Sequence, residues 1–99
     1  MKLYEIAHAR AGDKGNISNI VVVANTRGDY ETLRGVLTAT RVKAHFEDLV
    51  QGAVHRYELP KLLALNFVMH GSLQGGVTKS TALDTHGKSL SSALLNITL

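Results

Sequence analysis

The sequence predicts a two-layer α+β sandwich, a mostly antiparallel sheet with helices on one face. Three observations predict it. Ile17 to Ala24, with the β-branched run Ile20-Val21-Val22-Val23, is the clearest strand, and an alternating segment precedes it closely enough to pair as a hairpin. Apolar residues recur at helical spacing between Thr40 and Gln51. Strand-like stretches fall into two groups, with helical segments between and after them, rather than in the strict alternation of a parallel sheet. At 99 residues the chain is one domain, since a second core would not fit.

From the N-terminus, Leu3 to Arg10 alternates: Tyr4, Ile6, His8 and Arg10 share one face, and Leu3, Glu5, Ala7 and Ala9 the other. Ala9-Arg10-Ala11-Gly12-Asp13-Lys14-Gly15-Asn16 reads as a structured loop, a wide turn leading into the second strand. Asn25-Thr26-Arg27-Gly28-Asp29 is turn chemistry, with Asp29 placed to cap a short helix over Tyr30 to Arg34 that Gly35 ends. A second helix is predicted from Thr40 to Gln51, capped by Thr38 or Thr40 and stopped at Gly52. Val42, Phe46, Leu49 and Val50 form its apolar stripe, with Arg41, Lys43, Glu47 and Asp48 off it.

Ala53 to Leu59 alternates as a strand that Pro60 interrupts. Leu62 to Gly71 fits either strand or helix, and Asn66-Phe67-Val68-Met69-His70 favours strand because Phe and Val suit a pleated sheet. Gly71-Ser72-Leu73-Gln74-Gly75-Gly76 reads as a loop, Thr78 to Leu83 as a last strand, Asp84-Thr85-His86-Gly87 as a turn, and Leu90 to Ile97 as a closing helix. The strands around Ile20 to Val23 are apolar on both sides, so the sheet face without helices needs a cover, and a partner subunit supplies it most simply. Covering a few hundred Å² of apolar surface, at ~25 cal/mol per Å², is worth several kcal/mol.

Composition excludes several classes. At 44% hydrophobic and 19% charged the chain is globular. No apolar run approaches the ~20 residues that span a bilayer, and the N-terminus has no secretory pattern, so neither a membrane nor export is expected. The chain holds no cysteine, which excludes disulfides and thiolate metal sites and suits a cytoplasmic location. The net charge is +3, but the eleven basic residues are scattered and only five aromatics are present. Nucleic-acid binders concentrate Lys and Arg or interleave them with stacking aromatics, so no nucleic-acid partner is expected. A mildly basic surface suits an acidic small molecule or an acidic partner instead.

The candidate site is the stretch Arg10, Gly12, Asp13, Lys14, Gly15 and Asn16. Glycine allows positive φ or close approach to a ligand, and Asp and Asn bond to neighbouring backbone N–H groups. Successive N–H groups in such a turn make an anion nest, to which Lys14 or Arg10 adds charge. Its spacing is neither a P-loop nor a dinucleotide fingerprint, and an ordinary structured turn or a partner surface explains the same residues. Gly75-Gly76 before Thr78-Lys79-Ser80 is a second anion-contacting loop or a plain connector. His8, His45, His55, His70 and His86 lack metal-ligand spacing, so no metal is expected. Glu47 and Asp48 point about 100° apart on a helix and cannot act as a pair. The serines Ser72, Ser80, Ser89, Ser91 and Ser92 have no nucleophile-elbow context.

Several stretches together resemble the acyclic terpene utilisation AtuA family: Ala9 to Asn16, Arg41-Val42-Lys43-Ala44-His45-Phe46, Arg56-Tyr57-Glu58-Leu59-Pro60, Leu65-Asn66-Phe67-Val68, and Gly75-Gly76-Val77-Thr78-Lys79-Ser80 with Asp84 and Gly87-Lys88. The similarity runs over nearly the whole chain and is to the C-terminal portion of that family. It implies a ferredoxin-like fold, which in longer members follows a much larger N-terminal domain. It also implies a link to the breakdown of acyclic isoprenoids such as citronellol and geraniol through CoA thioesters. The chain is therefore expected to be a stand-alone domain or small accessory subunit, partnered by a separate large AtuA-type subunit or by itself as a homo-oligomer, with no cofactor of its own. Whether it is an enzyme stays open. The alternative is an autonomous domain or enzyme that binds an anionic ligand such as an acyl-CoA.

Overall fold

The computed structural model describes residues 1–14, 17–47, 50, 52–71 and 88–99. A one-turn 3-10 helix at Leu3–Glu5 leads into β1 (Ala7–Lys14) and β2 (Ile17–Ala24). The helices α1 (Arg27–Val36) and α2 (Ala39–His45) follow, then β3 (Val54–Leu59), a 3-10 turn at Pro60–Leu62, β4 (Ala64–His70) and α3 (Lys88–Leu95). The described strands form one sheet in the order β1-β2-β4-β3, each antiparallel to its neighbours. β2 and β3 therefore run parallel, joined through α1 and α2, with β4 between them. This is the split β-α-β arrangement of ferredoxin-like sheets.

The chain ends meet. Leu3 N donates to Ile97 O at 3.0 Å and Leu99 N to Met1 O at 2.8 Å, around a bridge between Lys2 and Thr98. Read as a ring, with β1 carried to the far end, the order of elements becomes the β-α-β-β-α-β of the ferredoxin-like fold.

Alternation in the strands sets the layers. Ser18, Ile20, Val22 and Ala24 of β2, and Leu65, Phe67 and Met69 of β4, are buried on one face. They share a core with Tyr30 and Leu33 of α1, Val42 of α2, Leu90 and Leu94 of α3, and Leu3, Leu37, Phe46 and Val50. Each large apolar side chain sealed there contributes about 1.5–3 kcal/mol relative to exposure. On the other face Ile17 is 42% exposed, and Asn19, Val21, Val23, Asn66, Val68 and His70 are only half-buried.

Local structure departs from the sequence-based expectation in several places. The hairpin pairs from Ala7↔Ala24 through Lys14↔Ile17, so Ala9 to Lys14 is strand and only Gly15 and Asn16 separate the strands. Most of the expected wide loop is thus strand, because Ala9 and Ala11 pack against the core as part of β1. Leu3–Glu5 is a turn, not strand, held by Lys2 N donating to the Glu5 carboxylate at 2.8 Å. The α1 cap is Thr26, whose hydroxyl accepts from Asp29 N at 3.0 Å, and Gly28 and Gly35 lie inside the helix. Asp29 sits in the first turn, where a negative charge suits the helix dipole.

Of the two capping candidates for α2, Thr38 is the cap, accepting from Arg41 N at 3.1 Å. α2 ends at His45, well before Gly52, and Phe46 N and Val50 N continue the descent by bonding to Val42 O and Phe46 O. Pro60 opens a turn closed by Leu63 in the left-handed region at φ 55°, and β4 settles the ambiguous stretch as strand. α3 begins two residues earlier than the periodicity suggests, at Lys88. The predicted strand Thr78 to Leu83, the turn Asp84 to Gly87 and the loop from Ser72 to Gly76 lie outside the described residues. No described helix is long and apolar enough to cross a membrane.

Candidate functional site

The sheet face that no described helix covers is built from alternate residues of four strands, and the register arranges them in rows. One row runs Arg10, Val21, Asn66, Tyr57; the next runs Gly12, Asn19, Val68, His55. His8, Val23, Ala64 and Leu59 form a third, and Lys14, Ile17 and His70 form a fourth beyond Gly12, Asn19 and Val68. The central strands β2 and β4 thus supply aliphatic residues, two asparagines and His70, while the edge strands β1 and β3 supply His8, Arg10, Lys14, His55 and Tyr57.

Asn19 Nδ2 donates to Asn66 Oδ1 at 3.1 Å, tying the two central strands on this face. A Cβ at position 12 would stand 3.0 Å from Asn19 Oδ1. Gly12 is therefore explained by the approach of this amide in the neighbouring strand, and not by a turn. The rings of His55 and His70 meet edge to face, with centroids 5.5 Å apart.

Arg10 and Gly12, the first two residues of the sequence-derived site, therefore belong to the open face, with Arg10 exposed. Asp13 and Lys14 are the last two ladder residues of β1, opposite Ser18 and Ile17. Gly15 and Asn16 lie outside the described residues, as does the second glycine loop with Gly75 and Gly76. Successive N–H groups along a strand point in alternate directions, so the strand portion of the stretch meets a ligand through side chains and not as converging amides.

The other candidate groups serve the fold. His45 Nε2 lies 2.8 Å from Ala93 O and links α2 to α3. Arg56 Nη1 donates at 2.9 Å to both Arg34 O and Leu37 O at the end of α1, and Nη2 reaches Glu58 at 3.3 Å. Arg34 is raised above its ordinary pKa by the hydrogen bond and charge of Glu31. Arginine is protonated throughout the working range in any case, so this shift carries no pH dependence. Among the described residues no three His, Cys, Asp or Glu side chains gather as a metal-binding group. His86 is outside the described residues.

Two shallow grooves occur elsewhere. One of about 350 Å³ lies between α2 and β3, lined by Ala39, Thr40, Lys43, Ala44, Glu47 and Val54. Its lysine is committed, with Lys43 Nζ donating to Gly52 O at 2.8 Å. The other, about 470 Å³, follows Glu58 to Leu62. Neither touches Arg10 or Gly12. The described residues present an open surface, with no acid–base pair poised over a cleft.

Sequence reasoning singled out Arg10 and Gly12 but missed Asn19, Asn66 and Tyr57. Alternation in β2 and β4 already placed the asparagines opposite the core face, but nothing local in the sequence aligned them with each other.

The model of the AtuA ferredoxin-like domain matches residues 1–99. The chain belongs to this family. The match agrees with the four-stranded antiparallel sheet and its three described helices, the α+β ferredoxin-like architecture. No match was found among curated proteins or among solved structures.

Proposed function

We propose that this AtuA ferredoxin-like chain is an accessory module, non-catalytic or co-catalytic, that works beside a large AtuA-type subunit or domain in acyclic isoprenoid and acyl-CoA catabolism. The observation that supports this reading is the sheet face that no described helix covers: half-covered valines framed by polar edges. Such a face is suited to docking, not to turnover. The stretch Arg10, Gly12, Asp13, Lys14, Gly15 and Asn16 is the contact element, since Arg10, Gly12 and Lys14 hold register positions on that side of β1.

Co-expression with a large AtuA-type subunit followed by size-exclusion chromatography tests the reading. Co-elution with an effect on the activity of the large subunit is expected. Two separate peaks, with full activity in the large subunit, refute it. A second reading, direct binding of an anionic group such as the phosphates of an acyl-CoA, is favoured by the exposed Arg10. A CoA thioester at 100 times its Kd would then add about 2.7 kcal/mol of stability, detectable by thermal shift and abolished by Arg10→Ala.

A further inference from the structure

We infer that the open sheet face receives a carboxylate-bearing protein surface, that of the large AtuA-type partner, and not a second copy of this chain. The inference rests on the accessory reading above and adds what chemistry must lie opposite the docking face.

Charge decides between the occupants. By register the face holds positions His8, Arg10, Lys14, His55 and His70 as its basic groups, together with Tyr57. No Asp or Glu takes a position in these rows. Glu58 pairs with Leu65 and so falls on the helix side, where its carboxylate accepts from Arg56. In a two-fold pair of identical chains the same patch meets itself. Every contact between chargeable groups would then be base against base, and like-charge juxtaposition at an interface costs several kcal/mol. The net charge of +3 opposes self-association at longer range as well. A partner that places carboxylates opposite Arg10 and the histidines removes that cost.

The distribution of the groups supports the same conclusion. Protein interfaces have a centre depleted of charge and a polar rim. Here Val21, Val23, Val68 and the bonded Asn19–Asn66 pair occupy the two middle strands, all half-buried before any partner arrives. The cation Arg10 is on one edge strand, and Tyr57, 53% exposed, is on the other. Tyr and Arg are the residue types that most often anchor interfaces. The Asn19–Asn66 bond satisfies one amide donor and one amide acceptor at the centre before a partner arrives, which lowers the cost of covering them.

The test is titration calorimetry of the chain against the large AtuA-type subunit at 50 and 500 mM NaCl, using wild type, Arg10→Glu, Tyr57→Ala and Arg27→Glu. Arg27 is exposed at the start of α1, in the helical layer, and its reversal changes net charge equally without touching the face. Circular dichroism confirms that each variant is folded before titration. Expected are a wild-type Kd that weakens several-fold at high salt, losses of tenfold or more for Arg10→Glu and Tyr57→Ala, and a change within twofold for Arg27→Glu. Equal losses for Arg10→Glu and Arg27→Glu, or salt-independent binding, overturn the inference while leaving the accessory reading standing. So does a free chain that sediments as a dimer and is dissociated by Arg10→Glu, because the second copy is then the occupant. Absence of any binding at either salt refutes the accessory reading itself and this inference with it.

Discussion

Arg56 offers a sharp test of how the crossover between β2 and β3 is held. The side chain comes from β3 and is 19% exposed, and its guanidinium spans two carbonyls at the end of α1. Arg56→Ala leaves the carbonyls of Arg34 and Leu37 without that donor. The Arg34 bond is exposed, so water replaces most of it, whereas the Leu37 bond is part-buried. A hydrogen bond to a charged group is worth about 1.5–3 kcal/mol, and a cation at a helix C-terminus adds about 0.3–1 kcal/mol. The partner Glu58 is 43% exposed and adds little. The expected loss is therefore about 2–3 kcal/mol, and at roughly 4–8 °C per kcal/mol for a domain near this size, Tm falls by about 8–24 °C. Differential scanning calorimetry with Glu58→Gln as the comparison measures it. A fall under about 3 °C for Arg56→Ala, or an equal fall for Glu58→Gln, refutes the assignment of the stabilisation to the helix end.

Two further predictions follow from backbone approach and topology. A Cβ at Gly52 would lie 2.6 Å from the backbone oxygen of His70, which also accepts a hydrogen bond from Gly52 N at 2.9 Å. Gly52→Ala is accordingly expected to lower stability by about 1–3 kcal/mol through overpacking, and a urea midpoint unchanged from wild type would contradict it. A circular permutant with Leu99 joined to Met1 by a short Gly/Ser linker and opened between Gly15 and Asn16 is expected to unfold cooperatively, with the far-ultraviolet spectrum of the parent. A permutant that is soluble but lacks a cooperative transition would show that the paired ends and the ring order of elements are misassigned.

What could be read in advance was governed by spacing. The β-branched run in β2 and the alternation in β3 are local signals, and both strands are where they were expected. The helical stripe through Val42 located α2, and threonine chemistry supplied Thr38 as a cap. Helix ends were less legible, since Asp29 and Thr26 are both good caps and the choice depends on how the chain leaves β2. The glycines misled most. Gly12, between Ala11 and Asp13, has the look of turn chemistry, yet the need for it comes from Asn19 in the neighbouring strand. The site was partly legible: Arg10 stood out as a cation in the right stretch, whereas its setting on a face without carboxylates depends on four strands coming together.

The bare order of amino acids was enough to indicate the α+β class, the strongest strands, the basic character and the family resemblance, because periodicity, composition and motif spacing are properties of neighbouring positions. The sheet order β1-β2-β4-β3, the meeting of the chain ends, the bond between Asn19 and Asn66 and the charge pattern of the open face came from folding. They join residues up to nearly the full chain length apart, and only the packing of two layers around a shared core selects which of those distant residues become neighbours.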